Sequence, residues 1–71
     1  MQKTIKLIKL AQSDINNRYP IGFEITGEFI SVPVIGDAFW VGYGYRTATV
    51  HEIMDNQTFR TLDGTYKYLF I

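Results

Sequence analysis

The chain has no cysteine and a single histidine, His51. The first absence excludes a disulfide framework. The two together argue against a structural zinc site, which draws its four ligands mainly from thiolates and imidazoles. Neither charge is in excess: seven Lys+Arg balance seven Asp+Glu, for a formal net charge of zero. Phosphate backbones attract basic proteins, with affinity that grows with the number of phosphates neutralised. That footprint is missing here, local patches aside. No apolar run approaches the ~20 residues of a membrane span. Neither G-x-G-x-x-G nor G-x-x-x-x-G-K occurs, so there is no phosphate-cradling loop of those kinds. Lysines at 3, 6 and 9 interrupt the opening MQKTIKLIKLAQSD, which therefore lacks the apolar stretch of a signal peptide. The expectation is a soluble, cytoplasmic protein that holds no cofactor or metal and does not engage a membrane.

What is present is aromatic. With 71 residues there is room for one small domain. A chain of that size buries only roughly 60% of the surface its unfolded form exposes, so its margin of stability is thin. With disulfides and metals set aside, dense packing or self-association must make up the difference. An aromatic content of 15% suits dense packing, because each ring buries a large area.

Six glycines and two prolines punctuate short runs of Ile, Val, Thr, Phe and Tyr, the composition of strands. Residues 3–11, KTIKLIKLA, read as a first strand. Ile5 and Leu7 alternate with Lys6, then Ile8 and Leu10 with Lys9. That pattern slips phase after Leu7, as across a bulge. The rival reading is a short helix using Ile5, Ile8 and Ala11. Residues 12–21 read as a loop, with Ser13 or Asp14 placed to cap one helical turn. In 22–32 the alternation runs on both sides of Gly27, which suggests a kink or bulge. Glu24 and Glu28 share an outward face if the alternation holds through that glycine. Pro33 belongs at an edge or strand end, and 33–37 is a turn. Residues 38–43 and 46–54 are the next two strands.

The last third carries the sharpest signals. A three-residue loop at 55–57 sets Ile53 opposite Phe59 and Glu52 opposite Arg60, with an ion pair outside. Asp63-Gly64 reads as a type I′ turn, which needs positive φ at both positions. It pairs Thr61 with Tyr66 and Phe59 with Tyr68 on one face. On the other it pairs Leu62 with Thr65 and Arg60 with Lys67, an unfavourable like-charge pair unless Glu52 reaches both. Five or six short antiparallel strands with tight turns suit an all-β, SH3-like barrel, which also hides most strand edges.

The segments GDAFWVG, RTATVHEI and FRTLDGTYKYLFI together resemble a pattern found in short proteins of bacteriophages and mobile elements. It runs roughly G-[DE]-x-[FL], R-T-[SA]-x-V-x-x-I, F-x-T-x-x-[ST]-x-Y. The resemblance covers about residues 36–68, under half of the chain. This chain departs from the pattern at Asp63-Gly64-Thr65, where the family usually has Asn-Ser before the tyrosine. The resemblance implies a compact β domain and a phage or mobile-element origin, with the host cytoplasm as compartment. It transfers no activity and no functional residue.

Tested residue by residue, catalytic chemistry finds little support. His51 as a general base wants a nucleophile and an orienting carboxylate. Ser13 and Ser31 lie far from it in sequence, and strand alternation points Glu52 away from it. The remaining carboxylates are scattered, and Asp55 and Asp63 are accounted for by turns. Gly42 and Gly44 let the chain bend between strands.

The stretch FWVGYGYRT, 39–47, packs four aromatics into its first seven residues. Phe39 and Val41 share one strand face and read as core, which leaves Trp40 with the least reason to be inside. It then packs under the first strand or the 12–21 loop, lies in a dimer contact, or binds a ligand. Exposed aromatics beside a loop can grip extended chains or stack bases. Candidate binding residues are Trp40, Tyr43, Tyr45, Arg46, Arg60 and Lys67. The expected function is non-enzymatic: contact with a protein partner or with further copies of itself, including the blocking of a host factor. The alternative is single-stranded nucleic-acid binding, or nucleotide sequestration between subunits of an oligomer. Three basic residues are few for the first of these, so weak or no nucleic-acid binding is expected. The ending YLFI is expected to expose apolar residues on a free edge strand and to favour self-association.

Overall fold

A computed structural model describes residues 3–13 and 19–71. It is all-β among those residues, with β1 (Thr4–Gln12), β2 (Glu24–Glu28), β3 (Ala38–Val41), β4 (Tyr45–Ile53), β5 (Thr58–Thr61) and β6 (Gly64–Phe70). All pairings are antiparallel, in the order β2-β1-β6-β5-β4-β3. The two outer strands then meet. A bridge joins Phe29 to Val41, and the Gly42 amide donates to the Glu28 carbonyl at 2.7 Å. The result is the expected small barrel, nearly closed. The strand reading of 3–11 holds, and the helical alternative does not. Of the loop expected at 12–21, with a helical turn capped by Ser13 or Asp14, Gln12 belongs to β1 and residues 14–18 lie outside the described residues.

Closure depends on Gly27. It pairs with Ile5 in unbroken register, so the expected kink is absent. A Cβ there would lie 2.8 Å from Val41 Cγ1, which shows why the position holds glycine: β3 crosses too closely for a side chain. Glu24 and Glu28 do fall on the same side of β2. Glu24 reaches Lys6 across the pair at 3.6 Å.

The core is built by alternation. Ile5 and Leu7 from β1, Phe39 and Val41 from β3, Val50 from β4, Phe59 from β5, and Tyr66 and Tyr68 from β6 form one buried cluster. Its rings sit on one another: Phe39 lies 4.8 Å from Phe59 and 5.2 Å from Tyr68 between centroids. At the bulge between β3 and β4, the Phe39 amide donates to Thr47 Oγ1 at 3.1 Å. A buried threonine thus supplies the acceptor that the broken ladder withholds.

Three expectations are corrected. Alternation in β1 does not slip after Leu7; it continues through Lys9, which is fully buried, while Leu10 faces solvent. The bulge comes later, between Lys9 and Ala11. Lys9 is tolerated inside because its Nζ donates to the Tyr19 carbonyl at 2.7 Å.

The second correction is to the last hairpin. Thr61 pairs with Gly64, Arg60 with Thr65 and Phe59 with Tyr66, so the loop is Leu62-Asp63. Neither loop residue has positive φ, and the left-handed conformation falls on Gly64 alone, at 142°. Asp63 is turned inward by hydrogen bonds from Thr61 and Tyr66, which the primed turn would forfeit. The observed register also avoids setting Arg60 against Lys67.

Third, the apolar C-terminal run is not a free edge, because β6 lies between β1 and β5. The 55–57 loop, by contrast, has the expected register, with Ile53 opposite Phe59 and Glu52 opposite Arg60. Ile53 itself is exposed near the strand end.

Candidate functional site

Period-two alternation on β3 buries Phe39 and Val41 and turns Trp40 outward, where it stays 39% exposed. Arg46 is its cross-strand neighbour on β4. The guanidinium lies 5.8 Å from the centroid of the indole, a cation–π arrangement that holds the side chain against the strand. Beside the pair is an open hollow of about 330 Å³, lined by Ser31, Val32, Val34, Asp37, Ala38 and Trp40 with Arg46. That volume is at the low end for a small-molecule site. Val32 and Val34 are 59% and 48% exposed. They come from the irregular segment between β2 and β3. The segment is tied down where the Gly36 amide donates to Val50 O at 2.9 Å and the Val50 amide donates to Asp37 O at 2.9 Å.

The six candidate residues do not form one surface. Trp40 and Arg46 are together. Tyr43 is 82% exposed at the tip of the β3–β4 turn. Tyr45 faces inward and packs with Tyr19 and Phe23, at centroid distances of 5.8 and 6.0 Å. Arg60 is opposite Glu52 and bonded to it at 3.0 Å. Glu52 is six residues beyond Arg46 on β4, so Arg60 lies roughly 20 Å from Arg46 at ~3.3 Å per strand residue. Lys67 faces Thr58 across the β5–β6 pair, near the Asp55 loop. The cations are therefore dispersed, and two of them sit beside carboxylates.

Sequence distance misleads for His51. Sheet pairing brings it to the same open groove as Gln12, Ser13, Arg60 and Thr65: Gln12 pairs with Gly64, Gly64 with Thr61, and Thr61 with Val50 beside it. The groove does not assemble a triad: Ser13 Oγ donates to the Leu62 carbonyl at 2.9 Å, and the neighbouring carboxylate, Glu52, is held by Arg60. Among the described residues no three His, Cys, Asp or Glu side chains gather as metal ligands. Among those residues, too, no helix is long and apolar enough to cross a membrane.

The other unforeseen feature is an internal polar cluster. Asp63 is buried and accepts hydrogen bonds from Thr61 Oγ1 and, at 3.1 Å, from Tyr66 OH. Burial, then the Tyr45 hydroxyl and the Asp63 carboxylate, push the Tyr66 phenol well above its ordinary value. Burial alone pushes Tyr68 up. Both phenols are thus favoured neutral in the fold. In the unfolded chain a tyrosine ionises near pH 10. Below that pH the two states hold the same phenolic protons and no stability depends on them. Above it the unfolded chain sheds protons that the fold retains, and stability falls. The midpoint of urea unfolding is expected to be insensitive to these phenols up to about pH 9 and to drop beyond pH 10. Tyr66→Phe should flatten that alkaline limb; an unchanged slope would remove Tyr66 as its source. At the acid end, the Gln57 amide bonded at 2.9 Å and then the Thr58 hydroxyl hold Asp55 below the usual carboxylate range, with a smaller pull from Lys67.

Compared with known families, curated proteins and solved structures, the chain matches no family model, no curated protein and no solved structure.

Proposed function

We propose that this chain is a binding protein without catalytic activity that works through protein–protein contact, with the Trp40 face as its contact surface. The observation that carries the reading is an outward-facing tryptophan, braced by Arg46 and flanked by exposed valines, in a barrel whose other rings largely pack inside. Interfaces gather their energy in a few Trp, Tyr and Arg residues at their centre. The resemblance of residues 36–68 to proteins of phages and mobile elements supports a protein in the host cytoplasm as a target, blocked by occupation of a surface. Nucleic-acid binding has less support. Arg46, Arg60 and Lys67 do not line one track, and Glu52 already holds Arg60. Nucleotide sequestration has less still, because the hollow beside Trp40 is open and presents one cation.

Trp40→Ala is expected to leave the barrel folded, because the ring lies outside the core, and to abolish association. Two measurements decide between the readings. Emission from Trp40, the chain's single tryptophan, should be blue at high protein concentration and turn red on dilution. A titration with single-stranded oligonucleotides at two salt concentrations should give no shifted band. Tight, salt-sensitive shifts would overturn the reading in favour of nucleic acid.

A further inference from the structure

We propose that the Trp40 face pairs with the same face of a second copy across a two-fold axis, Arg46 of each copy meeting Asp37 of the other. This rests on the reading of Trp40 as a contact residue and adds the occupant. The hollow holds one cation and one anion, Arg46 and Asp37. Among the described residues the ion pairs are Lys6–Glu24 and Arg60–Glu52, and neither Arg46 nor Asp37 takes part in one. Asp37 spends its backbone on the fold, donating to Val34 O at 3.1 Å and accepting from Val50 at 2.9 Å. Its carboxylate takes no part in that.

The spacing makes the hollow self-complementary. Asp37 ends the turn before β3, three residues ahead of Trp40, a span of at most roughly 10 Å at ~3.3 Å per residue. Arg46 sits opposite Trp40 in register. In the proposed pairing the two charges act as opposite ends of the short floor made by Trp40, Ala38, Val32 and Val34, the residues that line the hollow with them. A two-fold axis through the middle of that floor exchanges the ends. Each Arg46 then lies over the other copy's Asp37, and each indole over the other copy's valines. A two-fold interface makes every such contact twice.

Charge decides for this occupant over others. A purely acidic partner would satisfy Arg46 and bury Asp37 against like charge; a basic one would do the reverse. Burying an unpaired or like-charged group is strongly unfavourable. A second copy supplies both counter-charges in the right order. With zero net charge, no long-range repulsion between copies opposes it.

The test uses the native mass of the full chain by sedimentation, with circular dichroism to confirm that each variant is folded. The wild type is expected to be a dimer. Arg46→Asp and Asp37→Arg should each be folded and monomeric, with dimer affinity lowered about hundredfold or more, since each places two like-charge contacts in the interface. An equimolar mixture of the two variants should recover the dimer, because every repulsive contact becomes an attractive one between unlike copies. A wild type that is monomeric at high concentration would overturn the second copy as occupant; the contact-face reading would stand or fall separately on whether Trp40→Ala removes binding to a host protein. A wild-type dimer indifferent to Arg46→Asp, or a mixture that stays monomeric, would overturn the reciprocal pairing.

Discussion

Gly64→Val is expected to leave the barrel largely unfolded under conditions where the parent is stable. Gly64 begins β6 with φ at 142°, in a region that β-branched residues resist. It also sits where three strands crowd. A Cβ at this position would lie 2.5 Å from the Ala11 carbonyl oxygen and 2.7 Å from Lys9 Cε. The first neighbour is backbone in the β1–β6 pair, and the second belongs to a buried side chain fixed by its bond to Tyr19, so neither can retreat cheaply. Strain and overpacking are each of order 1–3 kcal/mol, and together they reach about 3 kcal/mol or more. For a domain of this size that lowers the melting temperature by roughly 12 °C or more. Gly22→Val separates the two contributions. Its φ is 91°, but nothing lies within 4 Å of a Cβ there, so it carries backbone strain alone. A melt of Gly64→Val that coincides with that of Gly22→Val would remove the crowding argument. One that coincides with the parent would remove both.

The same hairpin shows what local sequence encodes and what it does not. Positive φ at Gly64 was legible, because glycine after aspartate reads as a turn. The register was not. The Asp63-Gly64 pair signals a primed turn only if the aspartate side chain is free to face solvent, and here it is pulled inward by Thr61 and by Tyr66, a residue beyond the turn. Lys9 is a similar case. A lysine between two apolar residues reads as the solvent side of a strand, and its true partner is a carbonyl 10 residues further along the chain. Where both partners lie in the local pattern, the sequence was sufficient. The 55–57 loop and the Glu52–Arg60 pair follow from alternation and loop length alone.

The contact face divides along the same line. Phe39 inward and Trp40 outward follow from period two. Arg46 beside Trp40 follows from a short turn at 42–44. Asp37, Val32 and Val34 were not legible as part of the face, because the segment that carries them has no periodicity and is placed by hydrogen bonds to β4. His51 and Ser13 meet for yet another reason. The β1-β6-β5-β4 pairing sets the end of β1 near β4, an arrangement that no local pattern encodes. The chemistry-bearing residues of a barrel this small are gathered by pairing between strands distant in sequence, so sequence proximity is a poor guide to which of them act together.

Asp63→Ala should be the most damaging change among the carboxylates. Glu52 gives the scale for the others: its pair with Arg60 is about half exposed, and removing such a pair is worth ~0–1 kcal/mol. Asp63 differs because it is buried and because both its donors are buried with it. Alanine removes the acceptor of the Tyr66 hydroxyl and leaves Thr61 Oγ1 only the Gly64 carbonyl at 3.3 Å, at roughly 1–3 kcal/mol for a buried donor left unsatisfied. It also removes the side chain that sets Thr61 opposite Gly64, so the hairpin can drift toward the primed turn with Arg60 against Lys67. About 1–3 kcal/mol of lost stability is expected from the hydrogen bonds alone, most of it at Tyr66. Asp63→Asn should be milder, since the amide oxygen still accepts from one of the two hydroxyls. Urea melts of Asp63→Ala, Asp63→Asn and Glu52→Gln should rank in that order of damage. A loss for Asp63→Ala no larger than that for Glu52→Gln would mean that the inward network does not fix the register, and the case for it over the Asp-Gly turn would fall.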